Sequence, residues 1–172
     1  MLVSLLKMTF LFGSATINVE FRMLFHETVR KIVRRRGKME YKDNGKKPYM
    51  VNIQDATAQN DNFRIAIWTG EKLQLTVMSI EPNDEAGLEV HEGIYQFIRI
   101  EEGQGICKMG STKDNLDFER AVTKGDAVLV PMNMWHNIIN TGGQALKLYT
   151  IYSGQEHEEG TIHLSREDAP KK

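Results

Sequence analysis

Two neighbouring segments of this chain carry side chains that can bind a metal, and Gly or Pro divides each segment into short stretches. Residues 83–103 read NDEAGLEVHEGIYQFIRIEEG, and residues 125–140 read GDAVLVPMNMWHNIIN. Gly and Pro mark turns, and the apolar stretches between them have the length of strands. The strands must therefore fold into a closed barrel or a tightly packed sandwich before these polar groups can meet.

The rest of the sequence is punctuated in the same way. Strands are predicted at residues 63–68, 72–80, 94–101, 105–109, 117–122, 126–130, 135–141 and 145–153. One helical turn is predicted at residues 55–60, and the sequence shows neither an internal repeat nor an interdomain linker. Short strands at regular intervals predict an all-β barrel or sandwich.

Strand geometry brings the candidate ligands of the first segment together. Glu89 and His91 are two residues apart, and a strand sends alternate side chains to the same face. A turn at residues 92–93 places Gln96 on the returning strand, beside that pair. His136 lies on a later strand, so it reaches the others only if the sheet closes.

These residue types suit a divalent metal. Glu89, His91 and His136 form a group of two imidazoles and one carboxylate, and Gln96 adds a carbonyl oxygen or hydrogen-bonds a metal-bound water. Imidazole suits Zn, Fe, Ni and Cu, whereas oxygen ligands suit Mn and Mg. The mixture predicts one ion of Mn, Fe, Ni or Zn. In the alternative interpretation the histidines are ordinary hydrogen-bonded residues, Glu89 is a solvated charge, and the barrel holds no metal.

The spacing of both segments resembles the two signature motifs of the cupin superfamily. In the first motif, G-x5-H-x-H-x3,4-E-x6-G, the second His and the last Gly are matched by His91 and Gly103, whereas Asn83, Glu89 and Gln96 occupy the places of the first Gly, the first His and the Glu. The second motif, G-x5-P-x-G-x2-H-x3-N, is matched in order by Gly125, Pro131, Asn133, His136 and Asn140. Asn133 stands for the inner Gly of the motif, a mild change because Asn tolerates a left-handed backbone.

This resemblance covers roughly residues 50–155 and implies a small single-domain bacterial cupin, an all-β jelly-roll barrel. It also implies that Glu89, His91, Gln96 and His136 hold one metal ion. Two classes of function follow from it. One is a metal-dependent dioxygenase or a sugar or sugar-phosphate isomerase that acts on a small anionic or polyhydroxylated molecule. The other is a non-catalytic barrel that binds a small sugar or organic acid.

Composition limits the compartment and the partners. The 172 residues include 22 Lys and Arg against 23 Asp and Glu, and residues 39–172 carry the acidic excess. Nucleic acid requires a basic face, so it is not an expected partner. Cys107 is the sole cysteine and cannot form an internal disulfide, so a cytoplasmic location is expected. A homodimer is expected through Tyr95, Phe97 and Ile139, since two-fold assemblies are the commonest oligomers.

Residues 1–38 are expected to be an extension that precedes a single barrel domain, residues 39–172. The extension holds eight Lys or Arg against two Asp or Glu. Its first apolar run, residues 1–12, is too short to span a bilayer, and Lys7 interrupts it where a signal peptide would be apolar. Residues 21–33 have helical spacing. A membrane-surface helix, a helix packed on the barrel and a native start at Met39 are the three interpretations, and the last is preferred.

The chain end adds one candidate acid–base group. His163 has an imidazole that titrates near neutrality and could reach the mouth of the barrel. The usual mobility of chain ends favours a solvated side chain instead. No other residue is assigned a catalytic role from the sequence.

Overall fold

The stretches of alternating residues between residues 64 and 152 form strands, as their spacing predicts. The computed structural model describes residues 40–170, which lie within one compact unit, Glu40–Lys172. Its strands are β1 (Arg64–Thr69), β2 (Gln74–Ile80), β3 (Gln96–Glu102), β4 (Gln104–Gly110), β5 (Phe118–Thr123), β6 (Ala127–Val130), β7 (Trp135–Asn140), β8 (Leu146–Tyr152) and β9 (Ile162–His163). The one α-helix among these residues, α1, is Ile53–Gln59, and Arg166–Asp168 form a 3-10 turn. The predictions about residues 1–38 lie outside the described residues.

The strands form two antiparallel sheets. One has six strands in the order β6-β3-β8-β2-β1-β9, and the other has three in the order β5-β4-β7. The buried core draws side chains from both sheets, for example Ile98 and Leu148 from the larger and Cys107 and Ile138 from the smaller. This two-sheet arrangement is the predicted jelly roll, although hydrogen bonds do not close it into a continuous barrel.

Alternation decides which side chains enter the core. In β3 the residues Gln96, Ile98 and Ile100 are buried, whereas Phe97 and Arg99 between them are partly exposed. Gln96, Ile98 and Ile100 therefore share the buried face of β3, with one polar residue at its end. Cys107 is also buried, and burial raises the pKa of its thiol to about 11.

Two asparagines replace motif glycines where the backbone is left-handed. Asn83 has a φ of 65° and Asn133 a φ of 60°. Asn is among the few residues other than Gly that adopt this conformation readily. The motif therefore requires a left-handed backbone conformation at these two turns, and Asn can adopt it.

No helix among residues 40–170 is long and apolar enough to cross a membrane.

Asn140, the last residue of the second motif, holds the end of β7 in place through side-chain hydrogen bonds. Its side chain is 1 % exposed, and its amide nitrogen donates to the carbonyls of Ile80 at 2.8 Å and Gln144 at 2.9 Å. Its amide oxygen accepts from the Gly142 N–H at 2.9 Å. Asn140 thus joins β7 to the end of β2 and to the following turn.

We expect Asn140→Ala to lower the free energy of unfolding by about 2–4 kcal/mol, because it removes the partner of the buried Ile80 carbonyl and of two partly buried backbone groups, on Gly142 and Gln144. Urea denaturation measures this change. Asn115→Ala, at an exposed position, is the matched control and should change the stability by less than about 0.5 kcal/mol. Equal effects of the two substitutions would contradict the fastening role.

Candidate metal centre

The first motif lies alongside the free edge of β7. The Glu89 N–H donates to the His136 carbonyl at 3.0 Å, and the His136 N–H donates to the Glu89 carbonyl at 2.9 Å. Glu85 and Ile139 form a second bridge between the same two segments. Directly opposed residues in an antiparallel pair project their side chains to the same face. The backbone therefore sets the Glu89 carboxylate beside the His136 imidazole.

The sequence interpretation placed Glu89 and His91 on a regular strand, and this part of it was wrong. Glu89 forms a single β-bridge, and His91 lies outside any strand. Gly87, with a φ of 100°, turns the chain just before Glu89, and the predicted turn at residues 92–93 follows His91. Two close turns leave too few residues for a ladder. The two side chains nevertheless converge as expected.

Three candidate ligand atoms meet at one point. Glu89 Oε1 lies 3.4 Å from His91 Nε2 and 3.6 Å from His136 Nε2. One donor atom from each of the three residues lies within 4.8 Å of the other two. All three residues are buried, at 9 % exposure or less. This donor set is compact enough to surround one ion.

The tautomer of His136 suits a metal ligand. Its Nδ1 lies 2.9 Å from the Met134 carbonyl oxygen, which can only accept, so Nδ1 carries the hydrogen. The lone pair then lies on Nε2, which is buried and has no hydrogen-bond partner among residues 40–170. A buried acceptor of this kind needs a cation or a donor that the described residues do not supply. His136 therefore fits a metal.

Glu156 holds the other imidazole and was missed in the sequence. Its Oε1 lies 3.0 Å from His91 Nδ1, so a carboxylate orients the ring and turns Nε2 toward Glu89. Metal-bound histidines commonly have such a carboxylate partner. Glu156 is itself placed by Gln74, whose side-chain oxygen accepts from the Glu156 N–H at 3.1 Å. No spacing rule points to Glu156, because its segment follows β8 and only the fold returns it to the first motif.

Charges in the centre oppose the effect of burial. Burial by itself would raise the pKa of the Glu89 carboxyl, but the neighbouring imidazoles of His136 and His91 outweigh it. Together with the charge of Arg64 they hold the pKa of Glu89 well below its usual range. Burial would lower the pKa of His91, yet Glu156 and Glu89 raise it. Since a metal competes with protons for its ligands, a cation can take over the charge that protonated His91 would carry.

Gln96 lies next to this cluster in the fold. It opens β3, where Tyr152 of β8 is its partner in register, and the Tyr152 ring packs against His91 with centroids 5.3 Å apart. The Gln96 side-chain nitrogen donates to Thr150 Oγ1 at 3.0 Å. Its side-chain oxygen is buried and accepts no hydrogen bond from the described residues. Gln96 thus keeps an uncommitted oxygen in this part of the barrel.

His163 is tied into the sheet and is not a solvated tail residue. It belongs to β9 and pairs in register with Arg64 of β1. The side chain is partly buried, and burial together with the charge of Arg64 lowers its pKa. The expectation of a mobile chain end failed because β9 adds to the edge of the larger sheet.

A cavity of about 480 Å³ lies against the cluster, with Glu89 in its wall. Arg64 also lines it, and Arg64 Nη2 lies 3.9 Å from Glu89 Oε2. The other lining residues are Glu85, Ala86, Gly87, Leu88, Lys113, Arg166, Glu167, Ala169 and Pro170. Volumes of this size accommodate small molecules.

Known proteins share this sequence and fold. A cupin domain model matches residues 76–152. The chain is 51 % identical over 128 residues to the uncharacterized protein YrkC of Bacillus subtilis, a match that covers 74 % of this chain and 69 % of the relative. It is 38 % identical over 119 residues to the uncharacterized protein L612 of Acanthamoeba polyphaga mimivirus, covering 69 % and 72 % of the two chains.

The crystal structure of BH2720 from Bacillus halodurans superposes with a TM-score of 0.73 at 46 % identity and covers 74 % of this chain and 96 % of that one. The jelly-roll fold and the candidate ligand triad thus agree with a matching domain model and with relatives that align over 69–74 % of this chain. The chain belongs to the cupin family.

We expect Glu156→Gln to weaken metal binding by roughly 10- to 100-fold, because the imidazole of His91 loses the anion that orients it. Competition with a chromophoric chelator measures the affinity. Glu158→Gln removes a nearby exposed carboxylate and is the matched control. An affinity that falls equally in both variants would indicate a general charge effect and contradict the orienting role of Glu156.

Proposed function

We propose that this cupin binds one divalent metal ion through Glu89, His91 and His136 and uses it to act on a small molecule. The observation that carries the proposal is the convergence of three buried donor atoms within 4.8 Å. The outer nitrogen of each imidazole is already fixed, one by a carboxylate and one by a carbonyl. Two imidazoles with one carboxylate are a donor set that suits Mn, Fe, Ni or Zn.

Gln96 completes the proposed site with an uncharged oxygen. Its buried oxygen without a hydrogen-bond partner among residues 40–170 supports this role. The oxygen serves either as a weak ligand or as an acceptor for a group on the bound molecule. In both roles Thr150 holds the amide by accepting from its nitrogen.

The reaction class follows from the donor set. Three protein ligands leave positions open for a substrate, as in catalytic metal sites. A bound metal would supply Lewis-acid or redox chemistry there, which supports a metal-dependent oxygenase or isomerase. The residues of this chain would hold the ion, orient the ligands and exclude bulk water from a buried centre. A non-catalytic barrel that binds a sugar or an organic acid is the alternative, and ligand retention without turnover would identify it.

We expect His91→Ala and His136→Ala each to lose the metal, because each removes one of only two imidazoles. Elemental analysis of protein purified without a histidine tag measures the metal content. His163→Ala is the matched control, since it removes an imidazole that lies outside the cluster. Stoichiometric metal in both of the first two variants would refute the assignment.

We also propose that the protein forms a homodimer through the outer face of the larger sheet. Leu129 is 71 % exposed and Tyr95 is 55 % exposed. Phe97 pairs in register with Leu129 on one side and Ile151 on the other, which makes an apolar row across three strands. Ile139, the third residue expected at a dimer contact, lies on β7 in the other sheet.

We expect Leu129→Asp to convert the dimer to a monomer, because a charge in an apolar contact cannot be solvated. Light scattering at high micromolar concentration measures the mass. Leu164→Asp is the control: Leu164 is similarly exposed, at 68 %, but follows β9 at the opposite edge of the sheet. A monomeric wild-type protein would contradict the proposal.

A further inference from the structure

Arg64 is a buried cation whose hydrogen-bonding capacity is largely unused. Its side chain in β1 is 3 % exposed, and Nε and Nη2 have no hydrogen-bond partner among residues 40–170. The guanidinium group stays protonated in proteins, so it cannot avoid the cost of burial by losing its charge. Burial of such a group is tolerated only when an anion and further hydrogen bonds compensate it.

Glu89 compensates Arg64 only in part. The nearest distance, from Arg64 Nη2 to Glu89 Oε2, is 3.9 Å, which is an ion pair but too long for a hydrogen bond. The other oxygen of Glu89 faces the two imidazoles. A metal bound there draws on the same carboxylate charge, so Arg64 is even less compensated in the metal-loaded protein.

The other acidic groups of the cavity are directed elsewhere. Arg166 donates to Asp84 Oδ1 at 2.8 Å and to Glu85 Oε1 at 2.5 Å, so these two carboxylates already have a cation. Glu167 is exposed on the 3-10 turn. Lys113 adds a further positive charge to the wall and lies over the ring of Trp135. Arg64 and Lys113 are therefore the two cations of the wall without a carboxylate at hydrogen-bonding distance among residues 40–170, and Arg64 is the one next to the metal centre.

We propose that Arg64 is the anion-binding residue of this cavity and receives the carboxylate or phosphate group of a small molecule. The planar guanidinium matches such oxyanions with paired hydrogen bonds. The cavity of about 480 Å³ has both Arg64 and Glu89 in its wall, so one small molecule can contact the anion site and the metal centre together. The simultaneous contact with the metal centre rests on the proposed metal function.

A purely orienting role for Arg64 is the competing explanation. In that case Arg64 would only steady the Glu89 carboxylate through the 3.9 Å ion pair. Its removal would then weaken metal binding and leave the affinity for anions unchanged. The two roles therefore predict losses in different measurements.

The test is calorimetric titration of the manganese-loaded protein with malonate, inorganic phosphate and the neutral analogue malonamide. We expect malonate or phosphate to bind and malonamide not to bind. We expect Arg64→Met to lower the affinity for the anion by at least about tenfold. Lys113→Met removes an exposed cation from the same wall and should change the affinity by less than about threefold. Malonate and phosphate distinguish the two classes of oxyanion.

Metal analysis after each titration separates this proposal from the metal proposal and shows whether the anion has extracted the ion. If the wild-type protein keeps its metal but binds neither anion, the anion site is refuted and the metal centre stands. Equal anion affinity in wild type and Arg64→Met also refutes it. If the protein holds no metal, the same titrations of the metal-free chain decide the role of Arg64 alone. If Arg64→Met does not fold, Arg64→Lys serves instead. It keeps the charge but removes the planar guanidinium group, and it should still lower the affinity for the anion.

Discussion

The centre depends on one pair of reciprocal backbone hydrogen bonds, between Glu89 and His136. These bonds attach the irregular first motif to β7, the edge strand of the smaller sheet. They set the Glu89 carboxylate beside the His136 imidazole, and the bridge between Glu85 and Ile139 joins the same two segments further along. A backbone constraint of this kind fixes the direction of both side chains, because directly opposed residues share a face. His91, two residues further on, then joins the same side.

Around this pair, the two polar atoms of Glu89 and of His91 each face a different neighbour. Glu89 turns one oxygen to the imidazoles and the other toward Arg64. His91 turns one nitrogen to Glu89 and the other to Glu156. A buried polar group is tolerated when its hydrogen-bonding capacity is used. The uncommitted atoms, on His136, Gln96 and Arg64, therefore indicate where a cation and an anion would be accepted.

The strands were largely predictable because alternation and turns are local properties. The strand expected at residues 94–101 is observed at Gln96–Glu102, and its side chains alternate between buried and partly exposed. Expectations failed where pairing depends on distant segments. The segment around Glu89 forms only a bridge because Gly87 turns the chain beside it. His163 is fixed because β9 finds the edge of the larger sheet.

The sequence by itself determined the strand pattern, the left-handed turns at Asn83 and Asn133, and the close spacing of Glu89 and His91. Each of these follows from residue type and short-range spacing. Only the tertiary structure brought His136 to this pair and decided which groups surround the triad. Glu156 and Arg64 lie far from the motifs in the chain, and no local rule relates them to His91 or Glu89. Their contacts arise because Arg64 lies on β1 within the larger sheet and the segment after β8 returns to the first motif, which places a cation beside Glu89 and an anion beside His91.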